Sequence, residues 1–252
     1  MARNSLLGSA RAAAIKLGYV RLVLVLLIIL YAVGIAGHLY MPTQAFMLAM
    51  TPWFLLICGL LVALPSLVAA PRGQRSAGGR FFIWILATYL LTFFLEALGV
   101  ATGLVFGAYV YGPVLGFGLF GVPLVIAFNW VLVVYGAQRL SERLFRPRLL
   151  QAVFTAALAT GFDWIMEPLA IRLNYWRWAG AAIPLQNYLA WFIIAFVASL
   201  AYIFLVRGKT GGQHTASATA GARSAGTLAW SYMLIQAAFF AAIRLGWLAG
   251  LG

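Results

Sequence analysis

Seven stretches of the chain are apolar almost without interruption, and each is long enough to cross a bilayer. A helix needs about 20 apolar residues to span the hydrocarbon core. On that basis spans are predicted at roughly 20–40, 46–70, 81–105, 117–138, 149–171, 188–206 and 227–248. Arg21 and Arg244 mark the ends of the first and last. The segment 208–226 is rich in Gly, Ser, Thr and Ala and reads as a flexible loop. No internal repeat interrupts the pattern. The first apolar stretch lacks a small-residue cleavage signature and is predicted to be a retained helix rather than a signal peptide. The expected fold class is therefore all-α: a polytopic membrane helix bundle, with residues 1–252 forming a single transmembrane domain.

Composition agrees. The 252 residues are 65% hydrophobic and 8% charged, whereas soluble domains carry about 25% charged residues. The net charge of +13 would suggest nucleic acid in a soluble protein, but its distribution points to a membrane. Seven spans place 14 of the 17 Lys and Arg residues on one side, leaving Arg172, Arg177 and Arg244 on the other. By the positive-inside rule the N-terminus is cytoplasmic and the C-terminus outside. The expected partners of the basic loops are anionic membrane lipids, not nucleic acid. Cys58 is the single cysteine, so neither a disulfide framework nor a cysteine metal site is available.

Against this background three of the four acidic residues stand out. Glu96, Asp163 and Glu167 all fall inside spans, where a carboxylate is costly and tends to be kept for function. Glu96 lies 16 residues beyond Arg80, about 24 Å along a helix. Asp163 lies 15 residues beyond Arg148, about 22 Å in, and Glu167 follows one turn later on the same face. Two spans running the same way thus carry three carboxylates to similar depth. His38, Gln186, Asn187, Arg172, Arg177 and Arg244 gather near that level. Pro168 is expected to bend the fifth span. The Gly-rich connection GLVFGAYVYGPVLGFGLFGVP is a candidate broken or re-entrant segment, which is tolerated at membrane depth where it lines a cavity.

Plainer readings compete with each of these. Glu96 is also placed to pair with Arg244, Glu167 to be half-solvated at the interface, and Asp163 to be structural. Glu142, among Arg139, Arg143 and Arg146, reads as a solvated loop charge. His38 reads as a cap or interfacial anchor, and most aromatics as lipid-facing or belt residues. The cluster WIMEPLAIRLNYWRW is unusual in setting Trp164, Tyr175, Trp176 and Trp178 around the carboxylates.

The stretches FFLEALGVATGLVFGAYVYGPVLG, LFGVPLVIAFNWVLVVYG and GFDWIMEPLAIRLNYWRW, followed by IPLQNYLAWF, resemble the membrane carotenoid biosynthesis family. That family includes γ-carotene 1′,2′-hydratases and hydratases of C50 carotenoids such as bisanhydrobacterioruberin. The likeness is strongest over residues 80–206, and the D-x-x-x-E-P motif with YW-x-W is specific mainly in combination with the others. It implies a lipophilic carotenoid substrate and water, other enzymes of the carotenoid pathway as partners, and a bacterial or archaeal cytoplasmic membrane. It supplies no catalytic assignment, so residue roles are taken from chemistry.

Hydration of a terminal isoprenoid double bond needs a proton at one carbon and water at the other. Protonation at C2′ leaves a tertiary cation at C1′, which water captures. The protein must supply an acid that is protonated at neutral pH, a state that low dielectric and a neighbouring carboxylate favour in carboxyl groups generally. Asp163 is the expected donor, with Glu96 or Glu167 orienting and deprotonating water. Trp164, Tyr175 and Trp176 are expected to flank the cation, each aromatic face contributing about 0.5–2 kcal/mol. Asn129, Gln186 and Asn187 are candidates for holding water, and Trp178, Tyr109 and Arg244 for lining the substrate site. No cofactor and no metal are expected: the chain has two histidines and no nucleotide-binding context.

Three other functions share part of this pattern. A carotenoid cyclase or isomerase would use the same acid but quench the cation with an alkene. A membrane prenyltransferase needs more carboxylates for a magnesium-bound diphosphate, and needs them near the cytoplasmic face. Among non-enzymes, a retinal photoreceptor needs an intramembrane lysine, and Lys16 and Lys209 are both in predicted cytoplasmic segments. A proton-coupled transporter fits the intramembrane acids but not the lack of repeated halves.

Overall fold

The computed structural model describes residues 2–68, 75–180, 182–207 and 216–251. Among the described residues seven helices are long and apolar enough to cross a membrane, and this is a membrane protein. They are α1 (Ala2–Leu39), α2 (Met41–Val68), α3 (Arg75–Thr102), α4 (Leu124–Leu144), α5 (Arg148–Arg172), α6 (Leu185–Tyr202) and α7 (Ala216–Leu248). A π-helical stretch, Ile203–Arg207, prolongs α6. The fourth helix is the hub: 67% of its span is buried, against 22% for α1 and α2. That helix packs on α3, α5 and α7, and α1 lies along α7.

Prolines set the starts of the helices that build the core. Pro123, Pro147 and Pro184 stand at the N-caps of α4, α5 and α6, each in extended conformation. Proline has no N–H to lose and a fixed φ, which suits a helix start. The third helix ends at Gly103, whose φ of +70° any side chain would resist. The fifth continues through Pro168 to Arg172.

Some span boundaries differ from expectation; the second span runs Met41–Pro65 rather than 46–70. The fourth span begins at Leu124, not 117, because residues 118–123 form a tight hairpin of β2 (Gly118–Leu119) and β3 (Val122–Pro123). Phe120 and Gly121 carry the positive φ of its turn. The predicted loop 208–226 is also shorter than expected. Residues 208–215 lie outside those described, and from Ala216 the chain is already α7. Its alanines favour helix more than its glycines oppose it. Large aromatics are more internal than a lipid belt implies: Trp84, Trp130 and Tyr232 are fully buried. Glu142 is not a free loop charge either, since Arg139 at 2.5 Å and Arg207 at 3.5 Å hold it in a half-buried cluster.

The site is set by a feature between helices. The α3–α4 connection carries β1 (Tyr109–Tyr111), and the α5–α6 connection carries β4 (Trp176–Trp178). They pair antiparallel, with Tyr109 opposite Trp178 and Tyr111 opposite Trp176. Alternation along a strand puts both tyrosines and both tryptophans on one face. Val110, between the tyrosines, is 53% exposed on the other. The pairing continues through Gly112 N–H, which donates to the Tyr175 carbonyl at 2.8 Å.

Gly112 allows this approach, because a Cβ there would strike the Asn174 carbonyl of the neighbouring backbone. Gly112→Ala is therefore expected to lower unfolding stability by about 1–3 kcal/mol, the usual cost of overpacking a rigid contact. Gly79→Ala, where nothing lies within 4 Å, serves as the control and stays within about 1 kcal/mol of the parent. Thermal unfolding of both variants in detergent micelles checks this.

Candidate active site

Glu96 on α3 and Asp163 and Glu167 on α5 line one small cavity of about 40 Å³. All three are buried, at 4%, 1% and 1% exposure. The i,i+4 spacing sets Asp163 and Glu167 on one face of α5, and α4 carries Asn129 and Trp130 into the same space. A carboxylate oxygen without a donor is costly in such surroundings. Each of these acids has donors, and most come from the paired strands.

Glu96 is held by three. The Tyr109 and Tyr111 hydroxyls both donate to Oε2, the latter at 2.8 Å, and the Trp130 indole N–H donates to Oε1 at 2.9 Å. Burial, and then the Glu96 charge, push the Tyr109 and Tyr111 phenols above their ordinary pKa, so both remain neutral donors. Glu167 accepts from two indoles on Oε2, Trp176 at 3.1 Å and Trp178 at 3.0 Å. Indole N–H groups donate only. Asp163 is the least restrained. Its one hydrogen bond among the described residues comes from the Asn187 amide, at 2.7 Å to Oδ2. The same amide nitrogen reaches Glu167 Oε1 at 3.5 Å, so Asn187 bridges the two acids of α5.

Aromatic faces enclose the rest. Trp191 of α6 stacks on Trp130 with ring centroids 3.6 Å apart, and Phe106 and Trp176 complete that wall. A second, larger cavity of about 230 Å³ adjoins the first. Ile126, Asn129, Met166 and Trp176 line both. The Asn129 carbonyl oxygen accepts from Gln236 at 3.3 Å across this boundary. No three His, Cys, Asp or Glu side chains among the described residues are arranged to hold a metal ion.

Of the expected site residues, Glu96, Asp163, Glu167, Tyr109, Asn129, Trp176, Trp178 and Asn187 converge on the carboxylate cavity. Four do not. Trp164 follows Asp163 and so points about 100° away around the helix, where it is 58% exposed. Arg244 lies 5.9 Å over the Trp164 ring, outside the cavity. Glu96 therefore pairs with tyrosines and an indole rather than with Arg244. Gln186 is exposed and donates to the Leu104 carbonyl, tying α6 to the end of α3. Tyr175 lines the larger cavity, where burial pushes its phenol up to about 12. His38 also lines the larger cavity, with Nδ1 bonded to the Gly34 carbonyl at 2.7 Å. Tyr111, Trp130 and Trp191 escaped sequence reasoning. The Y-x-Y and W-x-W alternations were the signal for the first and for the strand that faces it.

The carotenoid biosynthesis protein family matches residues 50–252. Bisanhydrobacterioruberin hydratase of Haloarcula japonica is 32% identical over 172 residues, covering 62% of this chain and 55% of that protein. The chain thus spans about half the length of that curated relative. No solved structure matches.

The bond between Trp130 and Glu96 is open to direct measurement. A double-mutant cycle with Trp130→Phe and Glu96→Gln is expected to give a coupling of about 1–3 kcal/mol in denaturant unfolding. Additive effects would mean that this hydrogen bond does not hold α3 to α4.

Proposed function

Since the chain belongs to the carotenoid biosynthesis protein family, we propose that it is a carotenoid hydratase, adding water to the terminal double bond of an acyclic end group. The observation that carries this reading is the convergence of three buried carboxyl groups on one aromatic-walled cavity, two of them sharing the amide of Asn187. The relative named as a bisanhydrobacterioruberin hydratase supports the same chemistry.

The three acids differ in what already binds them, and this suggests a division of roles. Asp163, with a single donor on Oδ2, has Oδ1 left to hold and deliver a proton. Its O–H bond breaks as the alkene π pair takes the proton at C2′, leaving the cation at C1′. Indole faces of Trp176 and Trp191 stabilise that cation by about 0.5–2 kcal/mol each. Glu96, clamped by three donors, serves as a fixed negative charge. Water attacks C1′, and its surplus proton passes to Glu167 Oε1, the oxygen not taken by the indoles. Return of that proton to Asp163, beside the shared Asn187, restores the starting state with no net change beyond the added water.

With the basic loops cytoplasmic, the cavity lies toward the outer side of a bacterial or archaeal cytoplasmic membrane. Other enzymes of the same pathway are the natural partners there. The expected product is heavier than its substrate by one water per hydrated end.

Expression in a host that makes lycopene and γ-carotene, followed by mass analysis of the pigments, tests this. Asp163→Asn is expected to cut conversion by about 10²–10⁴-fold, the usual contribution of a general acid. Glu167→Gln should slow turnover in the same direction. Unchanged hydrated product from Asp163→Asn removes Asp163 from the acid role. A product isomeric with its substrate indicates cyclisation instead.

A further inference from the structure

The carboxylate cavity cannot hold the whole substrate. At about 40 Å³ it accommodates a few water-sized groups, such as a water molecule and the tip of an end group, given that one water needs about 10–15 Å³ of such space. The body of a long isoprenoid has to lie outside it. We propose that the adjoining cavity of about 230 Å³ is the chain-binding compartment, which takes an extended polyene from the bilayer through a lateral opening between α1 and α2. The identity of the occupant rests on the hydratase reading; the location does not.

Three observations carry it. First, the two cavities share Asn129, Ile126, Met166 and Trp176, so a chain in the larger one reaches the acids across a common wall. Second, the walls of the larger cavity are mostly hydrocarbon and aromatic, with Phe54, Phe239 and Phe240 among them. Met47, Met50 and Met166 add flexible side chains that adapt to a long ligand. Third, some residues lining this cavity are also exposed on the outer surface of the bundle. Val33 of α1 is 55% exposed, Phe46 of α2 is 61% and Met50 of α2 is 40%. All three lie in spans, so the surface they share with the cavity faces lipid. A carotene dissolved in the bilayer can then enter sideways without passing through water.

Entry from that side also accounts for the order of the site. The apolar chain stays in the compartment walled by α1, α2 and α7, while the terminal double bond passes Asn129 and Met166 toward α5. Asn129 and Met166 thus act as positioning residues at the neck between the two cavities.

The test separates chain binding from chemistry. The protein and its variants Val33→Trp, Met50→Trp, Leu22→Trp and Asp163→Asn are produced in a host that accumulates lycopene and purified in detergent. Visible polyene absorbance per protein is then compared, and pigments are analysed for hydration. The parent and Asp163→Asn are expected to retain lycopene or its product. Val33→Trp and Met50→Trp, which fill the mouth, should retain at least about tenfold less, a loss of about 1.4 kcal/mol in binding. Leu22→Trp, also on α1 but lipid-facing at 68% exposure and away from the cavity, should behave as the parent.

Size-exclusion elution and melting temperature identify any variant that fails to fold, and Val33→Phe and Met50→Phe then take its place. Full pigment retention in the mouth variants, or none in the parent, overturns the compartment. Unchanged hydration in Asp163→Asn with pigment still bound overturns the acid assignment alone.

Discussion

Hydrogen-bond donors for buried carboxylate oxygens are the constraint on which this structure turns. Glu96 and Glu167 are buried at 4% and 1% exposure, so the protein supplies N–H and O–H groups to their oxygens at fixed positions. Four of these donors come from one face of a two-stranded sheet, made from loops that join different helix pairs. A shift of one residue in the register of either strand would turn its pair of donors, Tyr109 and Tyr111 or Trp176 and Trp178, away from the acids together. The small sheet therefore links the order of the loops to the electrostatics of the site.

That arrangement explains why aromatic residues dominate the cavity. Tyrosine and tryptophan each bring a large apolar surface and one polar atom, which suits a site that is greasy yet must satisfy charges. Tyr109 packs on Trp178 with centroids 5.1 Å apart while both donate to different carboxylates. Trp130 similarly donates an N–H at its edge and offers a face to Trp191. The same rings hold helices together, fix the acids and wall the space in which a cation would form.

Two cavities of different character lie side by side. One is small and ringed by acids; the other is larger and mostly apolar, with Asn129 and Met166 between them. Such a division matches a ligand that is apolar along its length and reacts only at its tip. In the proposed scheme binding area and chemistry are separated, so residues on α1, α2 and α7 tune the fit without disturbing α5.

The sequence by itself determined the seven spans, because hydropathy is a local property and twenty apolar residues leave a helix little alternative in lipid. It also singled out Glu96, Asp163 and Glu167, since a carboxylate in such a run is conspicuous whatever surrounds it. The span start at 117 was misplaced where a hairpin turn outweighed simple hydropathy, and the loop expected to run to 226 gives way to helix from Ala216, where alanines favour it. Only the tertiary structure decided which groups serve those acids. Trp130 reaches Glu96 from 34 residues away and Asn187 reaches Asp163 from 24. Trp164, adjacent in sequence, turns outward by the pitch of the helix. Partners at such separations depend on which helix faces pack together, and spacing along one chain does not encode that.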